Sequence, residues 1–470
     1  MDYLPRMHAP LFPLAVSLAL GIGVGHFLSP DIPLLLLLIL LTLLSILMYR
    51  RPVAQSVSIW ACFLLLGLLI APKGEPRQVP DGVLTEAVVV SAPAEKPKTI
   101  RVDLQLTATG ERRRSYIWKD ERSQLLAVGD NILVSFHDEQ FIGRHDWQLG
   151  GNGFSHLSRF QRLKVKALRV RSHLLSRFHS QSADDEAPQA VLLAMVLGDK
   201  SGLTPQLRHA YDVSGASHIL ALSGLHLGII YMLLTGLMMG RRRFWLGQVV
   251  VVLAIWAYSF LTGLSTSVTR AAIMISIYSL FLLGGRRHAP LGVLSFAAMV
   301  LLLADPHSLT DIGFQLSFMS MLSILFFVPL LEQLLPVKWL EEHRMARWLI
   351  GMVMVSVAAQ LGTAPLVAYH FGRFSTWFLL ANLVAIPLAM FILYGAILVL
   401  IIPPLLGLIL ALVRTLNAAL DAISQLPFAS INGLHPSPLQ VLMLYVLIIA
   451  VYGLLCLLVS RINLSRTRDI

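Results

Sequence analysis

Four polar side chains that could do chemistry stand within one short apolar segment, SHILALSGLHLGI. They are Ser217, His218, Ser223 and His226. A membrane anchor needs neither hydroxyl nor imidazole groups, and ionisable residues inside a span usually face a bundle interior or an aqueous path. On one continuous helix, Ser223 and His226 share a side with His218, and Gly224 removes bulk from that side. We therefore favour a polar pathway, with hydrogen bonding between packed helices as the alternative.

Other apolar segments carry similar side chains. The predicted pathway also includes Arg270, Asp311, Gln315, Ser317, Gln360 and Asn382. Asp311 and Gln315 stand one helical turn apart, at i and i+4, whereas Arg270 lies near a span end, where snorkelling to the surface is the alternative. Because most of these groups are neutral hydrogen-bonding groups with few acids among them, the pattern suits passage of an anion better than capture of a cation.

Catalysis is a weaker interpretation of the same residues. Ser223 and His226 could form the nucleophile and base of an intramembrane hydrolase, but LSGLH lacks the first glycine of a G-x-S-x-G turn, and no third orienting group is identifiable. His218 and His226 have no nearby carboxylate that would complete a zinc site. No G-x-x-x-x-G-K-[ST] motif occurs, so we expect no ATP-driven transport by the chain alone. We expect no cofactor, no metal and no enzymatic activity.

The composition places these residues in a membrane protein. Of 470 residues, 56% are hydrophobic and 13% charged, and the mean hydropathy is +0.72; soluble domains carry about 25% charged residues. The two cysteines, Cys62 and Cys456, lie in apolar segments, which excludes a disulfide framework. The first apolar segment lacks a basic region and a cleavage site, so we expect an anchor rather than a signal peptide.

Twelve segments are candidates for spanning helices, each of which needs about 20 mostly apolar residues. They cover about 11–28, 33–49, 56–71, 217–239, 244–264, 267–284, 289–304, 311–331, 348–369, 376–402, 404–426 and 438–460. The eleventh is the least certain, because Arg414, Asn417 and Asp421 interrupt it.

Basic residues follow alternate spans. They are Arg50 and Arg51, Arg241 to Arg243, Arg286 and Arg287, Lys338, Arg344 and Arg347, and Arg461, Arg466 and Arg468. Cation-rich short loops are cytoplasmic. We therefore expect both termini in the cytoplasm and residues 72–187 outside, and we attribute much of the net charge of +11 to topology rather than to partners.

Residues 72–187 differ from the rest in pattern. LTEAVVVSA, TIRVDLQLTA, RRSYIW and DNILVSFH have the alternation of short strands, which predicts a small barrel, with an OB-like barrel as the leading option. Residues 154–178 have a helical period. The apolar stripe of that helix is Leu157, Phe160, Leu163, Ala167, Val170, Leu174 and Phe178, and its basic stripe is Arg159, Arg162, Lys166, Arg169 and Arg177. The helix either lies on anionic headgroups or attracts phosphates at a channel mouth.

The predicted fold class is therefore mostly α: a polytopic helical membrane protein of about twelve spans with an inserted small extracytoplasmic β-barrel. The predicted domains are an N-terminal three-helix membrane segment at 1–71, the OB-like domain at 72–153, the basic linker helix at 154–187 and a channel domain at 188–470.

The longest motif resembles a known family. LLAMVLGDKSGLTPQLRHAYDVSGASHILALSGLHLGI is similar to the signature of the ComEC competence family, the inner-membrane channel that admits transforming DNA in bacteria. SVTRAA, ADPHSLTDIGFQLSF and ANLVAIPL follow in the order that the family shows. NGFSHLSRF resembles its Gly-Phe-Asp segment, with Ser155 where an acid is usual. The resemblance covers nearly the whole chain.

The resemblance implies that single-stranded DNA enters from outside through a channel in the bacterial inner membrane. The partners it implies are the lipid bilayer, a cytoplasmic helicase-type ATPase, an extracytoplasmic DNA-receptor protein and a separate nuclease. OB folds bind strands through basic grooves and aromatic stacking. The candidate DNA contacts are Arg112, Arg113, Arg114, Tyr116, Trp118, Lys119, Arg159, Arg162, Lys166 and Arg169. The alternative is that the two aromatics pack in the barrel core and that the arginine triplet is a solvated hairpin.

One feature departs from the family pattern. Many members continue into a metallo-β-lactamase-like domain with an H-x-H-x-D-H motif, whereas this sequence closes on RINLSRTRDI. We expect a truncated gene, a fragment or a form whose nuclease is separate. A DNA-translocating channel is the leading hypothesis. A small-anion or metabolite permease is its rival, although permeases usually show internal repeats that this sequence lacks, and an intramembrane hydrolase is the third option.

Overall fold

The structure is a computed structural model of the chain. It describes residues 10–27, 34–71, 83–91, 93–95, 98–107, 112–136, 141–152, 159–180, 186–238, 244–283, 290–335 and 342–468. The basic loops at 241–243, 286–287 and 338, and Ser155 in the family-like NGFSHLSRF segment, lie outside the described residues.

Three apolar helices come first: α1 (Leu11–Phe27), α2 (Leu34–Leu47) and α3 (Pro52–Ile70). Helices α1 and α3 approach closely at two glycines, since a Cβ on Gly21 would overlap the backbone of Leu64 and one on Gly67 would overlap the backbone of Leu18. Small residues that let backbones meet are typical of helix packing in membranes. Most leucines of α2 remain exposed in the isolated chain, as expected of side chains that face lipid.

A seven-stranded sheet follows α3. Its strands are β1 (Leu84–Val89), β2 (Ala94–Glu95), β3 (Thr99–Leu106), β4 (Arg112–Trp118), β5 (Asp130–Ser135), β6 (Phe141–Ile142) and β7 (Trp147–Asn152). The strand order is β6-β4-β3-β1-β5-β7, with β2 paired to β3. All pairings are antiparallel except that of β4 with β6. The two strands at the ends of this order, β6 and β7, are consecutive in the chain.

Alternation along these strands builds one apolar core. In β4, Ser115 and Ile117 are buried, while Tyr116 and Trp118 lie on the opposite face. The core also takes in Trp147, which is fully buried. The four strands predicted from sequence are confirmed as β1, β3, β4 and β5; β2, β6 and β7 were not predicted, because two of them are only two residues long.

The basic helix is α4 (Arg159–Ser180), which confirms the predicted helical period; Leu157 of the apolar stripe lies outside the described residues. Leu163 and Val170 are 53% and 55% exposed, whereas the buried side of the described residues consists of Lys164, Val165, Leu168 and Arg171. Val165 and Leu168 pack against Val88 and Val128 of the β domain. The helix is held between the β domain and the membrane helices, so both neighbours select its buried face, and long basic side chains can bury their stems there.

Two further helices precede the membrane segment predicted at 217–239. Helix α5 (Glu186–Leu197), which was not predicted, is buried along most of its length. At the start of helix α6 (Pro205–Ser214) the Thr204 side chain accepts the N–H of Leu207, and Gly215 ends the helix in the left-handed conformation. The predicted span itself is two helices, α7 (Ser217–Leu220) and α8 (Gly224–Met238).

The remaining elements are mostly membrane-type helices. They are α9 (Phe244–Leu261), α10 (Thr266–Leu283), α11 (Pro290–Ala304), α12 (Ile312–Gln333), α13 (Arg344–Phe371), β8 (Arg373–Ser375), α14 (Phe378–Val399), α15 (Leu406–Ser424), β9 (Ser430–Asn432) and α16 (Pro438–Arg468). Strands β8 and β9 pair with each other. Thus the connection between α13 and α14 and the connection between α15 and α16 lie at the same end of the bundle.

Seven helices in the described part of the chain are long and apolar enough to cross a membrane. They lie at Pro52–Ile70, Thr266–Leu283, Ile312–Gln333, Arg344–Phe371, Phe378–Val399, Pro403–Ser424 and Pro438–Arg461. Six more apolar helices are shorter. The chain is therefore a mostly helical membrane protein with a β domain; seven of the twelve predicted spans reach spanning length, among them the eleventh, which seemed least certain.

Candidate functional site

The segment 217–229 contains a break in a membrane helix. Helix α7 ends at Leu220, residues 221–223 are not helical, and α8 starts at Gly224. The single continuous helix predicted through His218, Ser223 and His226 is therefore wrong. His218 instead contacts the backbone of Gly215, with 3.2 Å between its Nδ1 and the carbonyl oxygen. Ser217 and His218 are both exposed.

His226 caps the start of α8. Its Nδ1 lies 3.4 Å from the Ser223 backbone nitrogen and 3.0 Å from the Ser223 Oγ. A backbone N–H can only donate, so Nδ1 accepts and the proton of the neutral ring is on Nε2. This is the geometry of a capping box, in which the side chain at N3 accepts from the N–H of the N-cap residue. His226 is 1% exposed, and its Nε2 has no hydrogen-bond partner among the described residues.

The start of α8 lies on α10. A Cβ on Gly224 would be 3.6 Å from the Cβ of Ala271, which follows Arg270 in the chain. Arg270 is 5% exposed and does not snorkel. Its Nη1 donates to Asp311 Oδ1 at 3.0 Å, and its Nη2 donates to Ser267 Oγ at 3.1 Å. The break in the helix and the Arg270 guanidinium are thus held on two helices in contact.

Asp311 has two roles at the start of α12. Its carboxylate pairs with Arg270 and also caps the helix, accepting the N–H of Phe314 at 2.7 Å. Gly313 makes room for this arrangement, because a Cβ there would lie 2.8 Å from Arg270 Nη2. A buried guanidinium needs a counter-charge, and Asp311 supplies it.

Gln315 extends the polar contacts to α13. Its Nε2 donates to the Leu309 carbonyl at 3.0 Å, and its Oε1 lies 3.2 Å from Nε2 of His370, near the end of α13. The structure therefore brings six residues to one end of the helix bundle, which we call the polar cluster: Ser223, His226, Arg270, Asp311, Gln315 and His370. Sequence analysis missed His370 and Ser267, which stand at helix ends and carried no spacing signal.

Three predicted pathway residues lie apart from this cluster. Ser317 and Gln360 are half-buried within α12 and α13, and Asn382 is half-buried in the first turns of α14. Within the described residues no hydrogen bond links them to the polar cluster. The Oδ1 of Asn382 is buried without a partner in that same part of the chain.

A cavity of about 730 Å³ lies between α12 and α13. Arg344, Arg347 and Glu332 line one part of it, at the end of the bundle where α13 begins. Leu225, next to His226, and Ile386 line it as well. The walls of the cavity therefore include residues of α8, α12, α13 and α14.

The β domain carries a separate candidate surface. Tyr116 and Trp118 do not pack in the core; with Phe141 they form an aromatic platform on the outer face of the sheet. The ring centroid of Phe141 lies 5.5 Å from that of Tyr116 and 6.4 Å from that of Trp118. Trp118 and Phe141 are 39% and 43% exposed. Phe141 was missed because it belongs to a two-residue strand.

The predicted basic residues around this platform divide between two faces. Arg114 pairs with Asp103 and Lys119 with Glu95, both on the surface. Arg113 is on the other side of the strand, its guanidinium 4.4 Å from the ring centre of Phe136. Arg112 begins β4. On α4, the four candidates Arg159, Arg162, Lys166 and Arg169 are all exposed, and Arg169 also donates to the Val128 carbonyl at 3.1 Å.

Among the described residues, the polar cluster does not assemble the three groups of a serine hydrolase. A serine nucleophile needs a base that a third group orients, whereas His226 uses Nδ1 to cap α8 and its Nε2 contacts no acid in the described residues. Nor do three histidine, cysteine or acidic side chains come together anywhere in the described ranges as a metal site would require.

Comparison with known proteins extends the sequence resemblance. The chain is 28% identical over 345 residues to ComE operon protein 3 of Bacillus subtilis (strain 168), covering 70% of this chain and 42% of that protein. It is 30% identical over 259 residues to an uncharacterized protein of Aquifex aeolicus (55% of this chain, 54% of that one), and 27% identical over 224 residues to Recombination protein 2 of Haemophilus influenzae (45% and 28%). The chain thus spans about half the length of these relatives, or less. No solved structure matches it significantly.

The match to a family covers the membrane domain. The sequence profile described as Competence protein matches residues 195–458, which is more than half of the chain. The matched region begins in α5 and ends in α16, and it contains every member of the polar cluster. The resemblance inferred from the motifs is thereby confirmed: the chain belongs to the Competence protein family, to which ComEC proteins belong.

Proposed function

We propose that this chain acts in DNA uptake for transformation and forms the membrane path along which single-stranded DNA enters the cytoplasm. The proposal rests above all on one observation: a membrane helix broken at residues 221–223, with its new N-terminus beside the buried Arg270. The names of the relatives, a competence operon protein and a recombination protein, agree with it.

The charge distribution at the polar cluster favours an anionic substrate. Helices α8, α10 and α12 begin near one another, at Gly224, Thr266 and Ile312. Helix N-termini carry partial positive charge and unpaired N–H groups, which bind phosphates. In transporters, half-helix N-termini at broken spans face anionic groups of the substrate. Arg270 adds a positive charge at the same place, paired with the partly exposed Asp311.

The cavity between α12 and α13 supports a continuous conduit. It extends from Leu225, at the broken helix, to Arg344 and Arg347 at the far ends of the helices. Those two arginines belong to the basic segment that follows the predicted span 311–331, and short basic segments of this kind are typically cytoplasmic. A strand leaving the polar cluster would therefore pass neutral and apolar walls and meet positive charge again at the cytoplasmic side.

The β domain is the receiving surface in this proposal. Its strand order, with a parallel pair and with consecutive strands β6 and β7 at the two ends, is what an OB-like barrel requires if those strands act as one bent strand. The aromatic platform offers three rings on which bases can stack, each worth about 1–3 kcal/mol. Arg114 of β4, Lys119 just after it and the exposed cations of α4 would hold the phosphates.

We place the protein in the bacterial inner membrane, with both termini in the cytoplasm and residues 72–187 outside. We further propose a cytoplasmic helicase-type ATPase, an extracytoplasmic DNA receptor and a separate nuclease as partners. Anionic phospholipid headgroups are the second expected contact of α4, whose exposed face carries Leu163 and Val170 beside its basic residues.

The test is uptake of labelled DNA in a competent host that lacks its own channel and receives this chain. Wild type should restore uptake, and His226→Leu should abolish it with unchanged amounts in the membrane. His209→Leu is the matched control, because His209 is exposed on α6 outside the polar cluster. Normal uptake by His226→Leu would contradict the proposed path.

Two other functions give different results. In a hydrolase, Ser223→Ala would remove the nucleophile and abolish turnover, whereas in a channel it should only tune passage. A small-anion permease would move labelled anions into vesicles and would not restore DNA uptake in the host. The Ser223 and Gly313 contacts described above favour the path over the hydrolase.

A further inference from the structure

Three basic side chains come together where the β domain meets the membrane domain. Arg101 belongs to β3, and Lys200 and Arg208 belong to the segment that joins α5 to α6 and to α6 itself. Arg208 Nη2 donates to the Lys200 carbonyl at 2.7 Å. The Lys200 ammonium interacts electrostatically with both Arg208 and Arg101. We call these three residues the cationic bridge.

Independent contacts hold the β domain against this part of the membrane domain. Helix α4 packs on the β domain through Leu168 and Val128, and Arg169 donates to the Val128 carbonyl. On its other side, the buried Arg171 interacts with Asp199, next to Lys200. These contacts hold the β domain, which carries Arg101, and the segment that carries Lys200 against the same helix.

The cationic bridge adjoins the aromatic platform. Arg101 stands directly opposite Tyr116 in the β3–β4 pair, and Tyr116 stands opposite Phe141 in the β4–β6 pair. Side chains of opposed residues project from the same face of a sheet. Rings for stacking and positive charges thus follow one another along a single surface that leads to the membrane helices.

The junction holds more positive charge than the described acids can balance. Five cations meet there: Arg101, Arg171, Lys200, Arg208 and Arg373. The two acids that interact with them are Asp199, which also accepts the N–H of Ser201, and Asp212, whose Oδ2 lies 3.7 Å from Arg373. Partial loss of water and the two neighbouring arginines lower the pKa of Lys200, and Asp212 opposes them. Among the described residues, no acid comes within ion-pair distance of Arg101, Lys200 or Arg208, and all three are exposed.

We propose that Arg101, Lys200 and Arg208 form a phosphodiester-binding site that takes the backbone of a single strand from the aromatic platform and directs it to the membrane helices. This inference rests on the proposed function and names the residues of the transfer point. Stacked bases on Tyr116, Trp118 and Phe141 leave the phosphates free to reach the bridge, whereas an isolated lipid headgroup would make no use of the platform.

The experiment measures binding of a fluorescent single-stranded oligonucleotide to the full chain in nanodiscs of zwitterionic lipid over a range of salt concentrations. Each phosphate contact releases counterions, so Lys200→Gln should make the slope of log K against log salt less steep by about 0.7. The double variant Arg101→Gln/Lys200→Gln should reduce the slope by about twice that amount. At low salt we expect about a tenfold loss of affinity for each change. Lys200→Arg keeps the positive charge and should therefore bind the oligonucleotide as the wild type does. Arg50→Gln is the matched control, since Arg50 is an exposed cation remote from the bridge.

A second measurement separates binding from folding. Lys200→Gln removes like-charge repulsion, so its melting temperature without DNA should equal or exceed that of wild type; a residue with only a structural role would lower it. Unchanged affinity and slope in the double variant would overturn the cationic bridge while leaving uptake by wild type intact. Loss of binding to anionic-lipid vesicles but not to the oligonucleotide would assign the site to lipid and overturn the proposal too. A wild-type chain that neither binds the oligonucleotide nor restores uptake would contradict the proposed function itself.

Discussion

Arg270 and Asp311 are 41 positions apart in the chain, and their ion pair joins α10 to α12. Each residue is identifiable in the sequence as a polar group at the start of an apolar span. Their pairing is not, because no spacing rule connects residues on two helices separated by a third. Gly313, whose lack of a side chain lets Arg270 reach α12, carries no signal in the sequence either.

Removing the charge of Asp311 should destabilise the protein. Asp311→Asn keeps a good N-cap but leaves the Arg270 guanidinium buried without a counter-charge. Because Asp311 is partly exposed, we expect a loss of about 1–3 kcal/mol in the free energy of unfolding, less than for a fully buried pair. Asp311→Ala should lose about 1 kcal/mol more, since it also removes the cap. Thermal melting in detergent measures both losses of stability. Asp305→Asn is the control, because Asp305 is exposed and caps only a short turn. A wild-type melting temperature for Asp311→Asn would contradict the ion pair.

Gly215 fixes the start of the broken segment. Its φ is +84°, and a Cβ there would be 2.9 Å from Ser375 Oγ. The strain of a left-handed alanine alone should make Gly215→Ala less stable than wild type by about 1–2 kcal/mol. The contact of the new Cβ with Ser375 should also disturb β8. Gly228→Ala is the matched control, because Gly228 is helical and has no atom near its missing Cβ. Equal melting temperatures for the two variants would show that the turn tolerates a side chain.

At the scale of elements, the break between α7 and α8 escaped prediction because hydrophobic periodicity continues through it. Residues 217–239 are mostly apolar, and a 3.6-residue hydrophobic period does not indicate a change in the direction of the helix axis. The available signal was local. Ser223 with His226 three residues later has the spacing of a capping box, with histidine where glutamate or glutamine is usual.

Helix α4 shows a different limit. Its helical conformation was predicted and is confirmed, but its sequence pattern did not indicate which side would contact the rest of the protein. An amphipathic stripe predicts which face of a helix is buried when the helix packs on a single apolar surface. Here the helix has two neighbours, the β domain and α9, and the contact surface includes Lys164 and Arg171. The tertiary contacts override the pattern.

Leu168 should therefore matter more than Leu163 in the same helix. Leu168 is buried against Val88 and Val128 and lies 3.1 Å from where a Cβ of Gly263 would be, whereas Leu163 is exposed. Leu168→Ala should cost about 2–4 kcal/mol of local stability and speed hydrogen exchange in β1 and β5. Leu163→Ala should leave exchange unchanged. The opposite ranking would mean that Leu163, rather than Leu168, lies on the buried face of the helix.

For the whole molecule, composition and periodicity were enough to identify a polytopic membrane protein with a β domain after the third helix. They were not enough to count the spans, because residues in short apolar helices such as α9 and α11 have the same composition as those in long ones. The family motifs identified the region that the Competence profile matches. The pairing of strands and the cationic bridge depend on contacts between distant segments, which a single sequence does not encode in any periodic way.

The proposed topology predicts which positions solvent can reach from each side. With Cys62 and Cys456 replaced by alanine, Glu121→Cys should react with a membrane-impermeant maleimide on intact spheroplasts, because Glu121 is exposed on the β domain. Arg347→Cys, exposed near the start of α13, should react only after permeabilisation. Labelling of both positions, or of Arg347→Cys alone, on intact spheroplasts would reverse or refute the orientation.

The short ribbon of β8 and β9 joins two helical hairpins, α13–α14 and α15–α16, at their closed ends. At the other end of the bundle, residues 400–405 connect α14 to α15, and these two helices pack against each other along their lengths. Between the two ends, the Tyr445 hydroxyl of α16 donates to the Gly362 carbonyl of α13 at 2.9 Å. Because the hairpins are fastened at both ends, a tilt at the ribbon would carry all four helices together and would move Arg344 and Arg347 with them.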